Sequence, residues 1–439
     1  MTVFLLALLL ILPLQATASN LNPEDLQAII DKAGPGDMVV LTPRVYHGPV
    51  IIDKPLALIG LPGVVVDGGG ANNVILVKSD NVVIKGVKVV NSYSDVAFEP
   101  AGIKVSGSRN VTISGNIIDR VIHGIYVVNS TEVVVENNVI TSFAERDVND
   151  RGHGVYLWYT KNTYVINNSI SHVKDGVYSD HSTNISVKNN VVTNSRYGTH
   201  LMYTTEHVIL GNEYRNNLVG MALMYSCTIR VEGNVVRENR GTAVSEGVFL
   251  REVCDVDLVK NIIVGNAVGL NIVATPYPQS GRLVIKNNII AFNNIGLMAD
   301  IWASGVIKEN DLLENAQQFY PSPGTSVSLV WEGNFWSNRK YQTGQKYLLI
   351  DPVEDLVDRY PLLRAFTYGP SYTALTMMKA VIELNPRVKA IDDSPSQEPS
   401  ARIETAAKNS GLWPLAGGLL TFLPMTVFIL AWRNARVRA

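Results

Sequence analysis

The chain has 439 residues, 17% of them charged, with a formal net charge of −2. That near-balance gives no electrostatic ground for a nucleic-acid partner. The length allows one long domain with attachments at its ends.

Taken in chain order, the first 19 residues are apolar up to Ala16-Thr17-Ala18-Ser19. The Ala-x-Ala pattern reads as a signal-peptidase site, so residues 1–18 are expected to be a signal peptide. The missing Lys or Arg at the start leaves an uncleaved N-terminal anchor as the alternative. Residues 19–36 follow as an N-terminal cap. Within them Leu26 to Ala33 reads as a short amphipathic helix that would cover an open sheet end, which otherwise invites aggregation.

From residue 37 to 338 one repeat dominates. Its glycines are Gly124, Gly154, Gly176, Gly198, Gly220, Gly247, Gly269 and Gly296. Seven of them are followed 14 positions later by Asn138, Asn168, Asn190, Asn212, Asn234, Asn261 and Asn310, while Asn288 is displaced by an insert. Steps of 30, 22, 22 and 22 residues from Asn138 onward signal a solenoid. The unit Gly176–Tyr197 holds three β-type runs, Val177–Asp180, Ile185–Lys188 and Val191–Thr193, with Asn and Ser at the corners and no room for a helix. The expected fold is therefore all-β: a right-handed, single-stranded parallel β-helix. The repeated Asn suits an internal ladder, since Asn tolerates left-handed corners and its amide can bond the coils on either side.

Alternation places positions +1 and +3 after each Gly inside, as in Val155/Leu157 and Met221/Leu223, so positions +2 and +4 face out. They read Tyr156/Trp158, Tyr178/Asp180, His200/Met202, Ala222/Met224 and Phe249/Arg251. An ordinary solvent face would be Lys, Glu, Ser and Thr; this stripe reads as a binding surface. Six of the seven histidines (His123, His153, His172, His181, His200 and His207) fall in the same stretch, beside Met202, Met221 and Met224. Imidazole with thioether suits copper, above all Cu(I). His200, Met202 and Met224 are the leading candidate ligands, with Asp180 and His181 one coil earlier. A protein-docking face of Tyr, Trp and Met is the competing reading. Inserts within Thr141–His153 and Arg237–Glu246 bracket these coils at one corner, where solenoids often place their binding loops.

Cys227 and Cys254 each lie seven residues after a repeat Gly, so they should stack on neighbouring coils about 4.8 Å apart. A disulfide and a pair of reduced core cysteines both remain open. The sequons at Asn110, Asn129, Asn167 and Asn184 read mostly as corner asparagines. Residues 391–409 read as a polar linker. Ser410–Trp432 carries no charge and is long enough to span a bilayer, although Pro414, Pro424 and Gly417-Gly418 weaken it as a straight helix. It is expected to be a transmembrane helix over 410–432. Arg433, Arg436 and Arg438 would hold residues 433–439 in the cytoplasm and leave the β-helix extracytoplasmic.

Arg196-Tyr197-Gly198-Thr199-His200-Leu201-Met202-Tyr203, after Gly176-Val177-Tyr178 and before Gly220-Met221-Ala222-Leu223-Met224-Tyr225-Ser226, resembles consecutive coils of the NosD family. That family serves in the maturation of nitrous oxide reductase. Asp358 to Leu363 resembles its downstream "RYP" segment, and Gly369–Pro386 would supply an amphipathic helix within a C-terminal extension over 339–390. The family's acidic loop is missing after Gly333-Asn334-Phe335-Trp336. The resemblance implies a periplasmic or pseudoperiplasmic accessory protein, a binder rather than an enzyme. Its partners would be the permease and ATPase of an ABC transporter, and it would deliver copper toward nitrous oxide reductase or its copper chaperone. Tyr156, Trp158, Tyr178, Tyr203 and Tyr225 would form the docking face. The alternatives are a carbohydrate-active β-helix enzyme (lyase, epimerase or hydrolase), or a structural surface protein. The enzyme would need clustered carboxylates, whereas Asp180, Arg251 and Asp300 lie on separated coils.

Overall fold

The computed structural model describes residues 25–241, 245–321, 328–338, 345–351, 360–366, 371 and 387–400. Each regular coil is built from three short strands, for example Asp175–Asp180, Thr183–Lys188 and Val191–Thr193. The first two start two residues earlier than the hydrophobic pattern suggests, because polar residues at the corner still pair with the next coil. Stacking produces three sheets of 15, 13 and 12 strands among the described residues. Successive coils pair in parallel and in register, so that Tyr156, Tyr178, His200 and Ala222 fall in one column. The expected all-β parallel β-helix is the fold observed. Its interior is filled by the inward Val, Ile and Leu of all three sheets. No single coil could bury these alone.

The predicted helix is present over Leu26–Lys32. Asp25 caps it by accepting from the Gln27 backbone N–H, and Leu26 and Ile30 are buried in the core. The Gln27 side chain also exchanges hydrogen bonds with the Ile51 backbone.

The asparagine ladder is present and longer than the eight positions read from the repeat. It runs from Asn116 through Asn138, Asn168, Asn190, Asn212, Asn234, Asn261, Asn288 and Asn310 to Asn334. Each backbone N–H donates to the next Oδ1 at 2.8–3.0 Å. The two roles expected of one Asn are split between neighbours. The ladder Asn is buried, and the residue before it, such as Asn137, Asn167 or Asn189, takes the left-handed corner. A second ladder, Asn217, Asn239, Asn266, Asn293 and Asn315, follows the short strand of the same coils. The repeat pattern had not disclosed it. The sequon residues Asn110, Asn129, Asn167 and Asn184 do sit at left-handed corners. Cys227 and Cys254 form a disulfide between adjacent coils, with Cα atoms 4.9 Å apart.

The C-terminal side departs from expectation. Tyr347–Asp351 and Arg387–Asp392 form an antiparallel pair, and Asp392 joins the last coil beside Trp331. Asp392 is fully buried and ends the main ladder, accepting from the N–H groups of Gly333 and Asn334, from Asn334 Nδ2 and from Trp336 Nε1. The Ser400 backbone N–H donates to Asp311. The expected linker over 391–409 is therefore corrected: its first ten residues, 391–400, are bound to the end of the stack. A buried carboxylate with this many donors is not a free tether. Residues 1–18, the Gly369–Pro386 segment apart from Ser371, and Ser410–Trp432 lie outside the described residues. Among the described residues no helix is long and apolar enough to cross a membrane.

Candidate functional site

The stripe lies on the 12-stranded sheet, and the repeat glycine explains its geometry. A Cβ on Gly198 would sit 2.3 Å from the Gly220 carbonyl and 2.3 Å from a Tyr214 ring carbon, so this position points inward against the next coil. The residue after each Gly also points inward, which resets the alternation. The residue before the Gly then faces out, beside position +2. That position holds His123, His153, Asp175 and Tyr197 on four successive coils. The reading of positions +1 to +4 missed it. The signal was available in the run of ring-bearing and charged residues preceding the glycines.

Two columns of rings result. Lys104 lies over Tyr126, and Tyr126, Tyr156, Tyr178 and His200 stack in order with centroids 4.4, 5.1 and 4.7 Å apart. His123 stacks on His153 at 5.3 Å, and His153 lies 4.6 Å from Tyr178. The His153 backbone N–H donates to His123 Nδ1. Burial pushes the His123 imidazole well below its ordinary value, lowers His153 and raises the Tyr126, Tyr156 and Tyr178 phenols, so these groups stay neutral.

Asp175 sits at the centre and is fully buried. Arg196 forks onto it, Nε to Oδ1 at 2.8 Å and Nη2 to Oδ2 at 2.7 Å. His200 Nδ1 lies 3.0 Å from Oδ2, and His153 Nδ1 is 3.3 Å from the same oxygen without hydrogen-bond geometry. Burial opposes ionisation of Asp175, but its contacts with His153, His200 and Arg196 outweigh it and hold the carboxyl well below the usual range. His200 is 5% exposed, and its Nε2 is buried with no partner.

Each position of the Arg196–Tyr203 segment has a place. Arg196 pairs Asp175 and lies over the Tyr197 ring, and Tyr197 meets His200 edge-on at 5.0 Å. Thr199 turns in and shares a hydrogen bond with buried Tyr214. His200 and Met202 face out, and the Tyr178 hydroxyl lies 3.6 Å from Met202 Sδ. In the next coil Met221 and Leu223 are buried, and Ala222 ends the ring stack. Met224 is in register with Met202, and both are partly exposed.

The candidate residues therefore fall into three sets. His200 belongs to the ring stack. Asp180, Met202 and Met224 form the column beside it, with Trp158 one coil before and Arg251 one coil after. His181 belongs to a third row at the corner, with its Nδ1 2.6 Å from Asp180 Oδ1. There Tyr159, His181, Tyr203 and Tyr225 stack at 4.9, 5.2 and 5.1 Å, all with positive φ. Tyr159 and Tyr203 are about half exposed, whereas Tyr156 is buried in the stack. Bulky residues in the left-handed region are uncommon and mark a constrained corner.

His207, grouped in sequence with the stripe histidines, points into the core instead. It bonds the Thr205 carbonyl through Nδ1 at 2.8 Å and Ser179 through Nε2 at 3.2 Å. His172 takes a left-handed corner and makes no ring contact with the stack. Among the described residues no group of three or more His, Cys, Asp or Glu side chains is arranged to hold a metal ion. An ion site on this face would draw on thioethers.

With that geometry in place, comparison with known proteins bears on the coils that carry it. The family described as "Periplasmic copper-binding protein (NosD)" matches residues 142–345, and "Right handed beta helix region" matches residues 63–170. A "Probable ABC transporter binding protein NosD" of Pseudomonas aeruginosa is 28% identical over 131 residues, 30% of this chain and 31% of that protein. One of the same name from Stutzerimonas stutzeri is 26% identical over 131 residues, covering 30% of each chain. The chain thus matches under a third of the length of these relatives. Among solved structures, the A-module of the mannuronan C-5 epimerase AlgE6 of Azotobacter vinelandii superposes with a TM-score of 0.59 at 16% identity. The superposition covers 72% of this chain and 94% of that one. Likeness at that identity shows the fold, a β-helix, and nothing of the chemistry. The coils from 142 to 345, with the Asp175–Arg196–His200 cluster among them, are where this chain resembles the NosD family.

Proposed function

We propose that this protein is an extracytoplasmic accessory protein that holds Cu(I) in transit toward nitrous oxide reductase or its copper chaperone, working with the permease and ATPase of an ABC transporter. It acts as a carrier and docking platform rather than as an enzyme. One observation carries the copper assignment. A buried imidazole nitrogen without a partner, His200 Nε2, lies on the same outward face as Met202, two residues along, and Met224, one coil on. Adjacent strands lie about 4.8 Å apart, which brings the two thioethers within reach of one ion. A neutral imidazole with two thioethers is a soft set that favours Cu(I) over Zn(II) or Cu(II). Asp180 and His181 lie beside the set and would accept the ion on entry. The description of the matched family and the printed name of the relatives support the copper and transporter parts of this reading. Tyr203, Tyr225 and Trp158 would dock a partner, and the segment over 410–432 would tether the β-helix to the membrane.

A carbohydrate-enzyme reading fares worse on the same geometry. Asp175, the buried acid on the stripe, is tied by Arg196 and His200. Asp180 and Arg251 are three coils apart, roughly 14 Å.

Anaerobic Cu(I) titration of the full chain against a chromogenic chelator tests the proposal. One equivalent is expected to bind. His200→Ala, Met202→Leu and Met224→Leu should each weaken binding by at least about tenfold, as expected for loss of a ligand or of its support. No uptake by the wild-type chain would end the carrier reading.

A further inference from the structure

We infer, resting on the carrier reading above, that Asp175 is the positioning residue of the copper site: clamped by Arg196, it fixes the ring of His200 so that Nε2 is the nitrogen offered to Cu(I). The two oxygens of Asp175 receive both fork donors of Arg196, so its carboxylate is an acceptor only. His200 Nδ1, 3.0 Å from Oδ2, must then carry the proton in the neutral ring. The lone pair falls on Nε2, which is buried and has no partner in the protein. An acceptor nitrogen left in that state costs free energy unless something fills it. A carboxylate behind a histidine, orienting the ring and raising its basicity, is the usual support of a metal-ligating imidazole.

The fold itself does not need this network. At the same position before the repeat Gly, other coils carry Val219, Val268 and Ile295, all buried. A coil therefore closes with a branched apolar residue there. A buried Asp–Arg pair in that place carries a desolvation penalty and adds little stability over such a residue. Tyr178 supplies a second, independent link. Its ring stacks on His200 at 4.7 Å, while its hydroxyl lies 3.3 Å from Asp180 Oδ2 and 3.6 Å from Met202 Sδ, which sets imidazole, carboxylate and thioether around one side chain.

The experiment has two readouts. Long-range 15N–1H correlation of the imidazole rings in the metal-free wild-type chain is expected to show Nδ1 protonated and Nε2 bare in His200, and needs no variant. A ring protonated on Nε2 would overturn the inference. The second readout is Cu(I) affinity of Asp175→Asn, which keeps the shape but removes the charge. We expect a loss of about 10- to 100-fold together with a mixture of tautomers in the metal-free ring. Affinity within about twofold of wild type would overturn the positioning role while leaving the carrier reading intact. Absence of Cu(I) uptake by the wild-type chain would instead overturn the carrier reading, and the ligand role of Nε2 with it. Should Asp175→Asn fold poorly, Asp175→Val with Arg196→Leu copies the apolar coils and is expected to fold, to lose the same affinity and to lose the fixed tautomer.

Discussion

His207 illustrates how burial changes what a residue type means. It faces inward in register with Ile185 and Ile229 of the neighbouring coils. Burial pushes its pKa down to about 4, the Thr205 carbonyl opposing only in part. Above its unfolded pKa of about 6.5 the ring is neutral in both states. As pH falls from there toward 4, the unfolded chain binds a proton that the folded chain refuses, so stability declines. The contribution of this one group is on the order of 3 kcal/mol across that window. His207→Ile with Ser179→Ala should remove one proton's worth of the pH slope in urea midpoints between pH 6.5 and 4. An unchanged slope would assign the acid sensitivity to other groups, His123 and His153 first among them. The clustering of histidines in sequence was real. The sorting of His207 inward from His200 outward followed from strand parity, which the sequence also holds. The resetting of that parity at the glycine left only an indirect trace, the ring-bearing and charged residues that precede the glycines, because it depends on how closely two backbones approach.

At the scale of the element, the asparagine ladder is the spine of the coil. Asn212 gives Nδ2 to Asn234 Oδ1 and to the Val187 carbonyl, and its own Oδ1 receives the N–H and Nδ2 of Asn190. Replacing it with Ala strands those buried donors and acceptors at once. We expect Asn212→Ala to cost roughly 3 kcal/mol, within the range for a broken buried network, read as a lower denaturant midpoint at constant m-value. A loss below about 0.5 kcal/mol, the level of an ordinary surface substitution, would show that neighbouring coils close around the gap. The main ladder was legible because its Asn lies 14 residues after the repeat Gly in seven of the eight repeats. The second ladder, from Asn217 to Asn315, takes over a position that Ser195 holds one coil earlier, and it was hidden among other corner asparagines.

At the scale of the molecule, the stack interacts chiefly between nearest neighbours, so its end is energetically separate from its middle. Asp392 closes the main ladder and Ser394 folds back onto it through a backbone N–H. Asp392→Ala is expected to raise hydrogen exchange in Phe335–Trp336 and Arg387–Asp392 while leaving exchange at Asp175–Met224, and Cu(I) uptake, unchanged. A uniform rise along all coils would contradict that separation. The Cys227–Cys254 disulfide lies on the coils next to Met224 and Arg251 and joins them covalently beside the stripe.

The amino-acid sequence by itself determined the architecture, the register and the chemistry of the outward face. A period of 22 residues with alternating apolar positions admits few other packings, and side-chain parity after each glycine follows from strand geometry. The tertiary structure alone decided which of those side chains meet. Asp175, Arg196 and His200 lie up to 25 residues apart and on two coils, and they converge only because glycines let the backbones close to contact and turn the preceding residue outward. It also decided that residues 391–400 belong to the stack, because a single carboxylate found the vacant donors at the end of a ladder whose last rung lies 58 residues earlier.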